Sequence, residues 1–362
     1  MVDIVLAKNE KHIFASMTLK RPLISKEITI RDVAEQAGVS PSLVSVVLNA
    51  RRTEDGIFLC SANQKTAERI LETSQRLGYQ RNKAASQLRS GHSNSIGIIV
   101  PDISNTCFAN ICRKLENLAD EAGYLAIIGN YDDRERNFRQ LVDKFLSSEV
   151  DGIIVAPCAG VEDSIKKIQD RNIPVVLFDR DLPEMDNVGR VMLDNEKAGA
   201  IAMRILLNKG CRKVCFIRYE TDIPTMLLRE AGCRKAAEEA GVDFYVDVLS
   251  RETLHSDMVS TIRKAHDEKA DGVILPSNTI TVEGVSAIHY LDYSMSEDFA
   301  VVGFDQENMS GVFDSSVSFV CQPTYLVAEY SFKMLLGAMK DFKMLGTRIL
   351  EPLYTTGKCV MY

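Results

Sequence analysis

Polar side chains stand directly after five apolar runs in the second part of the chain. They are Asp102, the pair Asp179 and Arg180, the pair Asp194 and Asn195, Asn278, and Asp305. Carboxylates and amides can accept hydrogen bonds from a ligand, and an arginine can donate several. Any one of them alone is more often part of a solvated loop, but ligands of open parallel sheets bind beyond the carboxyl ends of the strands. Five such ends in succession predict a shared binding cleft.

The apolar runs that position these residues have the length and composition of buried strands. Nine runs are rich in Ile and Val, and they cover 95–102, 124–132, 151–157, 173–181, 190–195, 213–219, 244–249, 271–278 and 299–305. Such runs are typical of strands buried on both faces of a parallel sheet. Stretches of helical length and period separate them, which predicts doubly wound α/β domains. About ten strands exceed what one such sheet usually holds, so we expect two lobes.

A different pattern occupies residues 28–49. Thr29 suits a helix N-cap with Asp32 three residues later, and Gly38 stands where a helix C′ residue is expected. Ser40 and Pro41 then suit the start of a second helix. Helix, short turn and helix is the layout of a DNA-binding helix-turn-helix, although an ordinary αα-corner has the same pattern.

A third helix is predicted from the cap residue Asn63 to about Leu77, so that three small helices share one core. A basic link follows at 80–91, and its sequence alone is that of an ordinary linker. Residues 1–94 contain 14 basic and 9 acidic residues, a balance of +5, whereas the rest of the chain contains 29 and 41, a balance of −12. A basic N-terminal region, residues 1–94, on an otherwise acidic protein suits a negatively charged partner such as the phosphate backbone of DNA.

Composition limits the class of protein further. The 362 residues are too many for one compact core, and 46% hydrophobic with 26% charged residues is ordinary for a globular chain. No run of about 18 apolar residues predicts a membrane span, and charges interrupt the N-terminal residues, which argues against a secretory signal. The nine cysteines are scattered without metal-site spacing. We therefore expect core cysteines, no metal, and a reducing cytoplasmic setting.

Several short motifs follow one another in a fixed order. They are residues 28–49, LGY at 77–79, the basic link, IGIIVPDISN at 96–105, DGIIVAP at 151–157, IPVVLFDRD at 173–181, VVGFD at 301–305 and CQP at 321–323. This series, from about residue 28 to residue 352, resembles the LacI/GalR family of ligand-responsive transcription regulators.

The resemblance implies an α/β protein with a small all-α helix-turn-helix headpiece and a two-lobed core like that of periplasmic binding proteins. The headpiece would cover 28–79, the hinge 80–93 and the effector-binding and dimerisation core 94–362. The first lobe would comprise about 94–193 with 320–347, and the second about 194–319 with 348–362. Crossings between the lobes are thus expected near Asp194, Val320 and Arg348.

The function that the resemblance implies is that of a regulator of transcription, a repressor in our interpretation. Its partners would be a double-stranded DNA operator, a second copy of the chain in a homodimer, and a small polar effector such as a sugar or sugar derivative. The effector would act by shifting a two-state equilibrium of the lobes. No cofactor, catalytic residue or membrane partner is expected.

DNA contacts carry over position by position. The matching phosphate-contacting residues are Thr29, Ser40, Ser45 and Asn49, and the matching base-contacting residues are Pro41, Ser42 and Val46. In the link, Asn82, Ala85 and Leu88 match residues that contact the minor groove, where the family's leucine wedges a base step open. Val46 is a departure, because the family usually has Arg there. Since Val can pack on a thymine methyl but cannot bind guanine bidentately, we expect an A·T pair at that operator position.

Effector contacts also carry over. The matching residues are Phe108, Asp179, Arg180, Asp194, Thr225, Arg229, Asn278, Asp305 and Gln322. Carboxylates that accept from hydroxyls and an arginine that donates a fork of hydrogen bonds suit a polyhydroxylated molecule. The segment Arg229 to Gly232 matches the family's Arg-x-x-Gly pattern, whereas Cys233 replaces its usual aromatic residue and Thr279 its usual Asp.

Two other interpretations remain at this stage. Doubly wound sheets host many enzymes, but no GxGxxG or P-loop follows a strand, and the five histidines lie outside the strand-end motifs. A solute-binding receptor with a degenerate DNA headpiece would explain the two lobes. Salt-dependent DNA binding, which such a receptor should lack, separates it from a regulator.

Overall fold

The computed structural model describes residues 28–48, 50–53, 57–79, 91–220, 224–305 and 317–355. These residues fall into two compact units, an N-terminal one that ends at residue 79 and a C-terminal one that begins at residue 91.

The N-terminal unit is a small helical bundle with one short hairpin. Its elements are α1 (Ile30–Ala37), α2 (Pro41–Leu48), β1 (Arg51–Arg52), β2 (Phe58–Leu59) and α3 (Gln64–Leu77). The two strands pair antiparallel. The core side chains are fully buried at Val33, Val44, Val47, Ala67 and Ile70. About 50 residues can enclose such a core because each helix contributes one apolar face.

The helix ends follow the predicted signals. Thr29 and Asp32 form a reciprocal capping box, in which the Thr29 amide donates to Asp32 Oδ2 at 2.7 Å. Gly38 adopts a φ of 64° after α1, a left-handed conformation that glycine enters without a Cβ penalty. Asn63 Oδ1 accepts from the Thr66 amide at 2.9 Å at the start of α3. These caps fix the turn between α1 and α2 and the entry to α3.

The C-terminal unit contains twelve strands among its described residues. In chain order they are β3 (Ser95–Val100), β4 (Leu125–Asn130), β5 (Gly152–Val155), β6 (Val175–Phe178), β7 (Gly189–Leu193), β8 (Lys213–Tyr219), β9 (Asp243–Leu249), β10 (Gly272–Leu275), β11 (Ala300–Phe304), β12 (Ser318–Cys321), β13 (Thr347–Leu350) and β14 (Leu353–Thr355). All nine strands predicted from apolar runs are confirmed. The last three were not predicted as strands, because they are short and two of them lie at exposed sheet edges.

The helices of this unit alternate with the strands. They are α4 (Thr106–Glu121), α5 (Glu135–Ser147), α6 (Glu162–Gln169), α7 (Asn195–Asn208), α8 (Pro224–Ala240), α9 (Leu254–Asp267), α10 (Asn278–Tyr290) and α11 (Thr324–Ala338), with a 3₁₀ turn at Phe342–Met344. Buried apolar clusters lie on both faces of each sheet. Six of the eight described cysteines are buried within this unit, which agrees with their expected role as small core residues.

Two six-stranded sheets form the two lobes. The first has the order β13-β7-β6-β5-β3-β4, and its strands are parallel. The second has the order β14-β12-β11-β10-β8-β9, in which only the described edge strand β14 runs antiparallel to its neighbour. The predicted doubly wound architecture with two lobes is therefore confirmed.

Three crossings join the two sheets. The first lies at Asp194, between β7 of the first lobe and α7 of the second. Strand β12 pairs with β11 in the second sheet, so the chain leaves that lobe after Cys321, one residue beyond Val320. Strand β13 pairs with β7 in the first sheet, so the last crossing follows Leu350, two residues beyond Arg348.

Candidate functional sites in the two units

A cavity of about 90 Å³ lies between the two lobes of the C-terminal unit, at the carboxyl ends of strands from both sheets. Eight of the nine residues predicted to contact an effector line it: Phe108, Asp179, Arg180, Thr225, Arg229, Asn278, Asp305 and Gln322. This position agrees with the rule that ligands of parallel sheets bind beyond the strand ends. The strand-end pattern in the sequence therefore located the cleft.

Asp194 is the exception. It does not line the cavity; its Oδ1 caps α7 by accepting from the Lys197 amide at 2.9 Å. Its own amide donates to the carbonyl oxygen of Leu350 at 2.9 Å. The following residue, Asn195, is the one that reaches a cleft residue. A strand-end aspartate that precedes a helix has an alternative use as an N-cap, and sequence position does not distinguish the two.

Arg229 is fixed inside the second lobe. Its side chain is buried, with 1% of the residue exposed, and it lies on α8. The Nε atom donates to Asn195 Oδ1 at 2.9 Å, and one terminal nitrogen donates to the Pro276 carbonyl at 2.8 Å and to Asp305 Oδ2 at 3.0 Å. The guanidinium also lies 4.5 Å from the centroid of the Phe304 ring. These contacts satisfy most donors of a buried cation and hold Asp305 in place.

Gln322 connects the two acidic strand ends. Its Nε2 donates to Asp179 Oδ1 at 2.8 Å, and its backbone amide donates to Asp305 Oδ1 at 3.3 Å. The residue is only 3% exposed, and its Oε1 has no hydrogen-bond partner among the described residues. A buried acceptor of this kind favours a ligand that brings a donor into the cavity.

The carboxyl group of Asp179 lies in a poorly solvated setting. Burial raises its pKa above the ordinary value, and the nearby Arg180 guanidinium and the hydrogen bond from Gln322 offset this only in part. The charge of Asp305 adds to the upward shift. A ligand hydroxyl that donates to this carboxylate would stabilise its charged form.

Arg180 is buried in the first lobe and pairs with a residue that sequence reasoning missed. It donates to both carboxylate oxygens of Asp133, at 2.5 and 3.1 Å, and to the Tyr131 hydroxyl at 3.3 Å. Although burial raises the pKa of Asp133, the ion pairs with Arg180 and Arg251 outweigh it, so the net pKa lies below the ordinary value. Asp133 follows strand β4, so the strand-end rule could have found it. Tyr219 and Arg251 line the cavity; Tyr219 ends strand β8, so the same rule applies to it, whereas Arg251 lies in a turn and carries no comparable signal in the sequence.

Hydrogen bonds join the lobes across the cleft. Asn278 Nδ2 donates to Thr106 Oγ1 at 2.9 Å, and Thr225 Oγ1 donates to the Asp179 carbonyl at 3.0 Å. Phe108 lies in the first turn of α4, where its ring packs edge to face against Phe178 at 6.1 Å. The cleft thus has one aromatic wall and hydrogen-bonding groups from both lobes.

The second candidate site is the outer face of α2 in the N-terminal unit. Val44 and Val47 point into the core, whereas Val46 is 41% exposed and Ser42 is also exposed. Ser40 accepts from the Leu43 amide at 3.2 Å, which confirms its role as a helix cap. Pro41 is exposed at the first position of α2, Ser45 is partly exposed, and Thr29 caps α1. Asn49, Asn82, Ala85 and Leu88 lie outside the described residues.

The described residues contain neither a membrane-spanning helix nor a group of side chains suited to a metal ion. No helix there is long and apolar enough to cross a membrane. No group of three or more His, Cys, Asp or Glu side chains there is arranged to hold a metal ion.

Two family models match the chain, one for each unit. Residues 29–82 match the model of bacterial regulatory proteins of the lacI family, and residues 96–343 match that of the periplasmic binding protein domain. The second match covers more than half of the chain.

Individual relatives agree with these models. Catabolite control protein A of Priestia megaterium is 26% identical over 318 residues, which are 86% of this chain and 92% of the relative. The ribose operon repressor of Bacillus subtilis is 27% identical over 334 residues, or 91% and 97% of the two chains.

A solved structure of the Lac repressor bound to ONPG in its repressed state has the same fold. It matches with a TM-score of 0.77 at 20% identity and covers 91% of this chain and 98% of that one. The α1–α2 motif, the two-lobed core and the family models together lead to one conclusion. The chain belongs to the lacI family of bacterial regulatory proteins, which bind DNA and respond to small ligands.

Proposed function

We propose that this regulator represses transcription from a near-palindromic operator, and that a small uncharged polyhydroxylated molecule, a sugar or sugar derivative, switches its affinity for that operator. The effector would bind in the cleft between the lobes and prefer one closure of them. A ligand with different affinities for the two closures shifts their populations, and the spacing of the two headpieces would follow.

The pairing of charges in the cavity carries the proposal for the effector class. Each of the three guanidiniums among the described lining residues already contacts a carboxylate: Arg180 and Arg251 contact Asp133, and Arg229 contacts Asp305. Asp179 and Asp102 add two more acidic groups to the lining. An anionic ligand such as a sugar phosphate would have to displace an existing ion pair and approach the carboxylates of Asp179 and Asp102.

Hydroxyl groups suit the same cavity better. Asp179 and the orphaned Gln322 Oε1 are acceptors for hydroxyl donors, and Arg180 lies beside them as a donor. Phe108 offers an apolar surface for the C–H face of a sugar ring. The name of the Bacillus subtilis relative, a ribose operon repressor, supports a sugar as the effector.

On the DNA side, we assign the outer face of α2 to base contacts through Pro41, Ser42 and Val46. Hydroxyl and amide groups would bind phosphates, and they belong to Thr29, Ser40, Ser45 and Asn49. The hinge residues Asn82, Ala85 and Leu88 would contact the minor groove. Because its target is chromosomal DNA, we infer that the protein works in the cytoplasm.

Selection of bound DNA from a random pool tests both halves of the proposal. The full chain is incubated with the pool alone and with neutral monosaccharides, the corresponding sugar phosphates, and nucleosides in separate arms. We expect a near-palindromic sequence to be enriched, and a neutral monosaccharide to change its recovery while the matched phosphate does not.

Two results would contradict the proposal in different ways. Failure to enrich any sequence would favour the solute receptor with a degenerate headpiece. An enriched operator that responds to a sugar phosphate but to no neutral sugar would leave the regulator in place and overturn the effector class.

A further inference from the structure

Two charged residues face each other across the mouth of the cleft, one from each lobe. Arg251 lies in the turn between β9 and α9 of the second lobe, and Asp133 in the turn between β4 and α5 of the first. A terminal nitrogen of Arg251 contacts Asp133 Oδ2. This contact joins the lobes beside the predicted effector contacts, since Arg251 lines the cavity and Asp133 binds Arg180.

Asp133 is held in place by its own lobe. Its carboxylate binds both terminal nitrogens of Arg180, and its backbone amide donates to the Pro101 carbonyl at 3.2 Å. The side chain is 7% exposed, and the backbone has a φ of 54°, in the left-handed region. The acceptor for Arg251 is therefore preformed and needs no ordering when the lobes approach.

Arg251 is positioned by the other lobe but remains in contact with solvent. Its guanidinium lies 5.1 Å from the centroid of the Tyr219 ring, and its side chain is 49% exposed. A cation over an aromatic face gains a modest stabilisation at an exposed site. Dissolved ions can reach this partner, so the strength of the pair should depend on ionic strength.

Two other contacts between the lobes have a different character. The hydrogen bonds from Asn278 to Thr106 and from Thr225 to the Asp179 carbonyl join groups without formal charge. Their strength should change little with salt, because no net charge is screened. The Arg251–Asp133 pair therefore contributes a salt-sensitive part of lobe closure.

We propose that Arg251 is a latch that stabilises the closed lobes by pairing with Asp133 across the cleft mouth. This goes beyond the assignment of an effector, since it names a residue that sets the equilibrium between open and closed lobes when the cleft holds no ligand. A partly exposed ion pair of this geometry should change the ratio of closed to open molecules about three- to tenfold.

Hydrogen-exchange mass spectrometry on the full chain, without DNA or effector, tests the latch. The variants are R251Q, R251K and R234Q as a matched control. Arg234 is a suitable control because its side chain is 47% exposed and it pairs with Glu230 four residues away on the same helix, so it joins no lobes. Each protein is measured at low and at high salt.

We expect R251Q to exchange about three- to tenfold faster in the peptides that flank the cleft, around 101–108 and 276–281. Exchange elsewhere should not change. High salt should speed cleft exchange in the wild type and in R251K but leave R251Q unaffected, and R234Q should behave like the wild type.

Three outcomes would overturn the proposal. R251Q could match the wild type and R234Q in the cleft peptides, or it could speed exchange as much in peptides remote from the cleft as in the cleft peptides, as a general loss of stability would. The salt response could also persist in R251Q. Because the measurement uses neither DNA nor effector, a failure here is separate from any failure of the proposed function.

Discussion

Asp179 and Asp305 end strands β6 and β11 in the left-handed backbone region, with φ values of 61° and 60°. Residues other than glycine are uncommon there, and Asp tolerates the conformation better than most. Corresponding positions of the two lobes thus share one unusual backbone geometry next to the cavity. Such strain persists where the surroundings fix it, and here Gln322 and Arg229 do so through the hydrogen bonds described above.

The raised pKa of Asp179 predicts opposite effects on stability and on binding. A buried acid with a raised pKa in the folded state disfavours folding once it is ionised. The cost in stability is therefore absent at a pH below the pKa of the unfolded state. It appears as the pH rises from the pKa of the unfolded state through the pKa of the folded state. We expect D179N, which cannot ionise, to unfold at higher denaturant concentration than the wild type at pH 7 but not at pH 3.5. Effector affinity should fall at least about tenfold, because a charged acceptor is lost.

Denaturation curves at the two pH values, together with calorimetric titration of the effector found by selection, check this prediction. A variant that is less stable than the wild type at pH 7, or that binds the effector equally well, would show that the carboxylate has no such role.

Val46 predicts an operator that differs from the usual family pattern. The residue projects from the outer face of α2, between the buried Val44 and Val47. V46R should change the preferred base pair at the contacted position from A·T to G·C, because Arg can bind guanine bidentately. The binding free energy of V46R should favour G·C over A·T there by about 1–3 kcal/mol. Parallel selections with the wild type and V46R measure this. An obligatory G·C in the wild-type selection would refute it.

At the scale of elements, α7 and α8 pack unusually closely at two glycines. A Cβ on Gly199 would lie 1.9 Å from the carbonyl oxygen of Arg229, and a Cβ on Gly232 would lie 1.9 Å from that of Glu196. At each glycine, the nearest atoms of the facing helix are therefore backbone atoms. The Arg-x-x-Gly pattern therefore has a physical reason, since Gly232 allows the approach that brings Arg229 to Asn195 and Asp305.

We expect G232A to lower the free energy of unfolding of the second lobe by about 3 kcal/mol or more, because a clash with backbone atoms cannot be relieved by rotating a side chain. Effector affinity should fall with it, since Arg229 moves. Urea denaturation and ligand titration measure the two effects.

G346A is the matched control for this substitution. A Cβ on Gly346 would meet no atom within 4 Å, and the φ of this residue lies outside the left-handed region, so the stability of the variant should stay within about 0.5 kcal/mol of the wild type. Equal stability of G232A and G346A would show that the helices can separate at little cost.

At the scale of the whole molecule, three chain crossings join the lobes of the effector core, and the carboxyl ends of both sheets meet at the cleft. A small rotation about these crossings changes the cleft without disturbing either sheet. Residues 1–94 carry a balance of +5 and the rest of the chain one of −12, but residues 28–79 by themselves contain six basic and six acidic residues. The basic excess therefore lies in the segments before and after the headpiece, and it favours contact with phosphate there.

A homodimer whose headpieces contact two half-sites should be sensitive to their spacing. Insertion of five base pairs at the centre of the selected operator turns one half-site to the opposite face of the duplex. Affinity should fall about 100-fold or more toward the non-specific level, and insertion of ten base pairs should restore part of it. Fluorescence anisotropy at fixed salt measures the series, and an unchanged affinity would mean that one headpiece suffices.

The sequence by itself determined the features that depend on neighbouring residues. Buried parallel strands are nearly continuous apolar runs, and helix ends carry cap residues, so the nine predicted strands and the capping of α1, α2 and α3 followed from local patterns. The strand-end residues also marked the cleft, because parallel strands place their carboxyl ends on one edge.

Only the tertiary structure decided which of these side chains meet. Gln322 and Asp179 are 143 positions apart, and Asn278 and Thr106 are 172 apart, so no local pattern relates them. Asp194 and Asn195 are adjacent, yet the start of α7 turns the first into a cap and the second toward Arg229. Arg251 gained a partner only because lobe closure brings its turn to Asp133, and that distance is set by the packing of two whole sheets.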